Sequence, residues 1–224
     1  MISDAKFPWS FERDEVDLLE EDIDEIYRTY QSPKGEVKTV EQAIILEQLE
    51  TEERAEAEFS LMMGVKGFFK KSEEKTAWGY SSTEERVPEQ SFSCETSRSP
   101  FYEHIFRFSE KVFVYAQDAY AHGGNKKEHA FRLRLNVKMI PIKCAVAMSE
   151  EMHDDPLSIA MAKKEYKLAI VYTERILISL AFLAADGDVR AKAFLAPGTH
   201  IKHVLQQHFL RLNNERRGFQ QGYE

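Results

Sequence analysis

The side chains that could do chemistry in this 224-residue chain are few and scattered. Glu150-Glu-Met-His153 has the Glu-x-x-His spacing with which helical bundles hold a di-metal centre, beside Asp154 and Asp155, but such a centre needs two inward-facing pairs and the chain has one. His200, His203 and His208 fall on one expected helix. At 100° per residue the last two stand about 140° apart, too far round to converge on an ion. Gly64-Val-Lys-Gly67 lacks the glycine spacing and the Lys-Ser/Thr pair of a phosphate-binding loop. The Gly-x-Ser-x-Gly, His-Glu-x-x-His and Cys-x-x-Cys signatures of acyl transfer, zinc proteolysis and thiol or zinc sites are missing too. No metal and no cofactor are therefore expected. What remains is cationic: on a helix starting near Lys126, Lys127, Arg134 and Lys138 fall within about 40° of one another, with Arg132 and Lys143 off that stripe. The tail adds Lys202, Arg211, Arg216 and Arg217. Such a stripe could face nucleic-acid phosphates, the alternative being a solvated helix face.

The elements that must carry these residues read as helices. Leu19, Ile23, Ile26 and Tyr30 recur at three and four inside a run, Glu12 to Glu25, that holds nine carboxylates and one arginine, which predicts an acidic amphipathic helix. Gln31-Ser-Pro-Lys-Gly35 is a turn. Thr39 and Gln42 have capping-box spacing and open a long helix that Gly64 closes. From Gly64 to Pro100 the periodicity disappears, so the segment reads as an irregular linker with room for a short hairpin. After Pro100 a helix runs to Gly123-Gly124, and another from about Lys126 to Ser149 places Leu133, Val137, Ile140, Cys144 and Ala147 on one buried stripe, with Pro141 expected to bend it. Asp155-Pro156 caps a helix reaching Ala185, apolar almost all round, as the central member of a bundle would be. Two shorter helices, Val189 to Leu195 and Thr199 to Arg216, are expected on either side of Pro197-Gly198. The fold class expected is all-α, with an acidic helical part over 1–63, an irregular segment over 64–100 and a helical bundle over 101–224.

Charge divides the chain in two. Residues 1–62 hold 18 acids against 6 bases, and the rest 20 against 24, within a net charge of −8. Ten glycines, seven prolines and 43% hydrophobic residues exclude collagenous and wholly disordered classes. Cys94 and Cys144 suit a reducing compartment as two free thiols, Cys144 buried and inert and Cys94 reactive. The N-terminus shows neither a basic flank with an apolar run nor a small-residue cleavage site. Thr173, Glu174 and Arg175 interrupt the most apolar stretch and leave ten residues, half of the ~20 a membrane helix needs. A cytoplasmic protein with no membrane contact is expected.

Two resemblances follow from particular residues. Arg98 and His104, with five residues between them, resemble the catalytic pair of the HEPN ribonucleases, which would imply a small helical ribonuclease, although Ser99-Pro100 places Arg98 in the loop before the helix rather than in it. The stretch Glu128 to Ala145, then Asp155-Pro156, then Ala169 to Leu177, resembles the C-terminal helical region of phage and plasmid helicase-primase proteins. That resemblance implies that Arg132 or Arg134, Lys138 or Lys143, and Ala169 hold the family's places; the ATPase core with its phosphate loop is absent, which implies an accessory protein or a detached helical domain.

The expected function is a non-catalytic binding or adaptor protein with a protein partner, in a mobile-element replication or other nucleic-acid complex contacted through Lys127, Arg134 and Lys138. The alternatives are the ribonuclease using Arg98 and His104, and an interaction protein whose acidic arm, residues 12–25, binds a basic partner. The acidic arm is also expected to cover the cationic stripe.

Overall fold

The structure is a computed structural model that describes residues 15–30, 37–64, 99–153 and 155–220. It is all-α: six helices, with no strand among the described residues. These are α1 (Glu15–Tyr30), α2 (Val40–Met62), α3 (Pro100–His122), α4 (Lys127–Glu151), α5 (Pro156–Ala185) and α6 (Val189–Gln220), with a 3-10 turn at Gly124–Lys126. Arg98, Cys94 and the body of the expected linker lie outside the described residues.

The local signals at the helix ends operate as expected. Thr39 Oγ1 accepts from the Gln42 amide while the Gln42 side chain accepts from the Thr39 amide, a reciprocal cap that satisfies two otherwise orphaned donors of α2. Beyond the other end of α2, Gly64 has φ +71°, a conformation open to glycine. Asp155 accepts from the amides of Leu157 and Ser158 at the start of α5. Those backbone donors hold its carboxyl below the usual range.

The centre of the bundle is α4, not α5 as its apolar sequence predicts. α4 packs against α1, α2, α3 and α5. The expected stripe of Leu133, Val137, Ile140, Cys144 and Ala147 is wholly buried, and so are Phe131, Leu135 and Ala130 on other sides of the same helix. α5 instead leaves Ile178 and Phe182, 66% and 50% exposed, on its outer side. α4 reads as mixed in sequence because it carries Arg132, Asn136, Lys138 and Lys143; other helices bring carboxylates to the three cations, while Asn136 donates to the Arg132 carbonyl of its own helix. Burial pushes the Cys144 thiol up, which makes it inert at neutral pH.

The break expected at Pro197-Gly198 does not occur, for α6 is continuous from Val189 to Gln220. The reason is tertiary. Gly198 is buried against α3 and α5, where a Cβ would meet Leu177 Cδ2 at 2.9 Å and Phe108 Cζ at 3.2 Å, so the close seating of the helix holds it through the missing proline donor. α4 likewise continues through Pro141. The 18 residues 168–185 of α5 hold only two charges and satisfy the length and composition of a membrane span, so the ten-residue limit expected from the sequence does not hold. In this fold 44% of that window is buried, against α4 and α6.

Candidate functional site

α2 and the face of α4 and α5 beneath it meet through charge. Arg132 on α4 donates to Glu47 on α2, and Arg175 on α5 reaches the other oxygen of the same carboxylate at 3.2 Å while donating to Thr51 Oγ1 at 2.7 Å. Further along α2, Glu52 accepts from Lys143 Nζ at 2.8 Å and from the Tyr172 hydroxyl at 2.6 Å. Glu56 accepts from Lys164 at 2.6 Å and Glu58 from Lys167 at 2.6 Å. At the start of α2 the Tyr120 hydroxyl of α3 donates to Glu41 at 2.9 Å. Four carboxylates of one helix thus face five cations gathered from two others.

Beneath this layer lies Glu165 of α5, 5% exposed, between Lys143 at 3.4 Å and Lys164 at 3.1 Å. Burial works against the charge on Lys164, and the carboxylates of Glu56 and Glu165 outweigh it, holding its pKa above the usual lysine value. Burial, then Glu52, pushes the Tyr172 hydroxyl up, so it remains a donor. Apolar anchoring of α2 is sparse: Ile44, Ile45 and Phe59 are buried, Phe59 under Lys164 Nζ at 5.1 Å from its ring centre. Gln48 sits among them, 1% exposed, with neither side-chain atom paired to a protein group. At 100° per residue Glu47 and Glu56 flank the strip of Ile44, Gln48, Ala55 and Phe59, roughly 180° apart. That pattern is the signal in the sequence for this interface, and cations aligned on a single helix do not reveal it.

The stripe of Lys127, Arg134 and Lys138 does share a side of α4, but that side faces α3 and α1. Lys138 is 7% exposed, bonded to Asp22 of α1 at 2.8 Å and 4.0 Å from the centre of the Phe113 ring. Arg134 is half-buried over the same ring, and Lys127 is exposed over Tyr120. The acidic helix α1 thereby lies over part of the stripe. Of the residues singled out by the helicase-primase resemblance, Arg132 and Lys143 belong to the α2 face and Ala169 is buried.

The other described candidates are spread over the rest of the bundle, with Arg98 and Asp154 outside the described residues. His104 is exposed on α3, edge-on to His200 of α6 with ring centres 5.8 Å apart. His208 stacks on Phe101 at 4.2 Å, where burial lowers its pKa, while His203 is exposed. Glu150 is in the last turn of α4 and His153 just beyond it, and among the described residues no group of three or more His, Cys, Asp or Glu side chains could hold a metal ion. Comparison of the chain with protein-family models, curated proteins and solved structures finds no match, so the geometry alone carries the functional reading.

Proposed function

We propose that this chain is a non-catalytic binding protein, an adaptor that engages an anionic partner through the basic α4–α5 face on which α2 lies. The observation that supports it is the gathering of Arg132, Lys143, Lys164, Lys167 and Arg175 from two helices onto one face, where each meets a carboxylate from a segment 85 or more residues away in the chain. This face displaces Lys127, Arg134 and Lys138 as the contact surface. Within this reading, the helicase-primase resemblance supplies the setting, an accessory component of a mobile-element replication complex, and Arg132 and Lys143 are the members of its residue pairs that stand on the face.

The test uses the full chain and its Glu47→Gln, Glu52→Gln, Glu56→Gln triple variant, which frees cations without adding any. Both are titrated with labelled single- and double-stranded oligonucleotides and with a labelled acidic helical peptide at two salt concentrations. The triple variant is expected to bind at least one probe more tightly than wild type, with an affinity that falls as salt rises. Adding Arg132→Gln and Arg175→Gln should weaken that binding. Failure of every probe to bind the triple variant would overturn the reading.

A further inference from the structure

We infer that the partner is another protein's acidic amphipathic helix, which takes the place of α2 in the α4–α5 groove; the inference rests on the adaptor reading and names its ligand. The resident helix shows what the groove recognises. It takes carboxylates at the positions of Glu47, Glu52, Glu56 and Glu58, spread over about 16 Å of helix at 1.5 Å per residue, and it takes apolar side chains between them. Ile44, Ile45 and Phe59 are 3%, 2% and 8% exposed. A phosphate backbone offers nothing to the sockets that hold these side chains, whereas a helix with acids flanking an apolar strip fills both. The groove floor also contains the Glu165 carboxylate, which already takes part of the charge of Lys143 and Lys164 and limits how much further anion the floor accepts.

The same contacts explain how α2 can be exchanged. Its hold is largely ionic, and the outer edges are open to solvent: Glu58 and Lys167 are each more than half exposed. It also buries the unpaired amide of Gln48, which costs free energy that a partner with an apolar residue there would not spend. At its far end Leu61 and Met62 are 75% and 70% exposed and anchor nothing. A helix that keeps the acids of α2 and replaces Gln48 by leucine therefore binds better than α2 itself.

The experiment uses three probes: a fluorescein-labelled peptide with the sequence of residues 39–63 carrying Gln48→Leu, the same peptide with Glu47, Glu52 and Glu56 changed to Gln, and a labelled 20-nucleotide single strand. The triple variant E47Q/E52Q/E56Q of the full chain should bind the acidic peptide at least tenfold more tightly than it binds the neutral peptide. It should also bind it at least tenfold more tightly than wild type does, because in wild type the tethered α2 competes at an effective concentration of order millimolar. Binding of the oligonucleotide but not of the peptide overturns this inference and leaves the adaptor reading standing, whereas binding of neither overturns both. A stable dimer in which cross-linked α2 and α5 come from two copies gives the groove to a second copy, and it too overturns the inference. Should the triple variant lose its helical spectrum, hydrogen exchange in wild type decides. Excess acidic peptide should accelerate exchange in residues 40–62 and leave α4 protected, and unchanged exchange overturns the displacement.

Discussion

α2 and α4 are both long helices that carry charged side chains beside the apolar ones they bury, and the fold treats them in opposite ways. α4 is enclosed on all sides, its five-residue stripe from Leu133 to Ala147 wholly buried and its charges matched by Asp22, Glu47, Glu52 and Glu165. α2 lies on the outside, with its basic partners beneath it and the charged side chains of Glu50, Glu53 and Arg54 exposed on its outer side. Charges set among buried apolar residues therefore mark two kinds of helix: one buried all round, and one whose contacts are ionic. The first is held by area removed from water and by close packing, which salt hardly touches. The second is held by pairs whose desolvation offsets much of their attraction.

The largest effect should come from opening the centre. Leu133→Ala in α4 is expected to cost about 2–5 kcal/mol in urea denaturation, through lost transfer free energy and the cavity left behind. A loss well under 1 kcal/mol would mean that α4 is not the central helix. Next, Gly198→Val forces a side chain against Leu177 and Phe108 and should cost about 1–3 kcal/mol by overpacking, whereas a neutral result would show that α6 can slide away from α3 and α5.

Glu52→Ala removes the acceptor of both Lys143 and Tyr172 and is expected to cost about 1–3 kcal/mol, with the loss expressed as faster hydrogen exchange in α2 rather than in α4. Equal acceleration in the two helices would erase the distinction between them.

Titration should separate the two regions further. Glu41 is held below the usual carboxylate range, since hydrogen bonds from its own backbone amide and from Tyr120 outweigh its burial. Its folded-state pKa is depressed, so its contribution is present above the unfolded value near 4.3 and is lost as pH falls through the depressed one. Lys164 runs the other way: its raised pKa gives a contribution complete below about 10.4 and lost as pH climbs through the raised value. Amide protection in α2 should therefore fall both below about pH 4 and at strongly alkaline pH, with α4 still protected in each case; simultaneous loss in both helices would contradict the comparison. The smallest effect is expected at the exposed edge. Glu58→Gln, opposite Lys167, should leave the unfolding midpoint unchanged at physiological salt, because solvent already screens that pair.

Much of the local structure was legible in the residues. Thr39 with Gln42, Asp155 with Pro156, and Gly64 mark helix ends by caps and backbone freedom that act within a few positions, and the structure places them there. The stripe of Val137, Ile140 and Cys144 was legible for the same reason, since a 3.6-residue period needs no partner to be read. The candidate face was not. Arg132 and Lys143 stand off the aligned stripe of α4, and Lys164, Lys167 and Arg175 belong to a different helix, so no single-helix projection brings them together.

The residues alone sufficed for the first five helices, the caps of α2 and α5 and the separation of an acidic N-terminal part from a slightly basic remainder, because hydrogen bonding within a helix and periodic burial are short-range properties. Long-range packing was needed to make α4 central, to carry α6 through Pro197 and to rest the carboxylates of α2 on the cations of α4 and α5. Those outcomes depend on groups as distant in the chain as Arg175 and Thr51, 124 residues apart, and whether a buried charge is tolerable depends on what a distant helix brings to it.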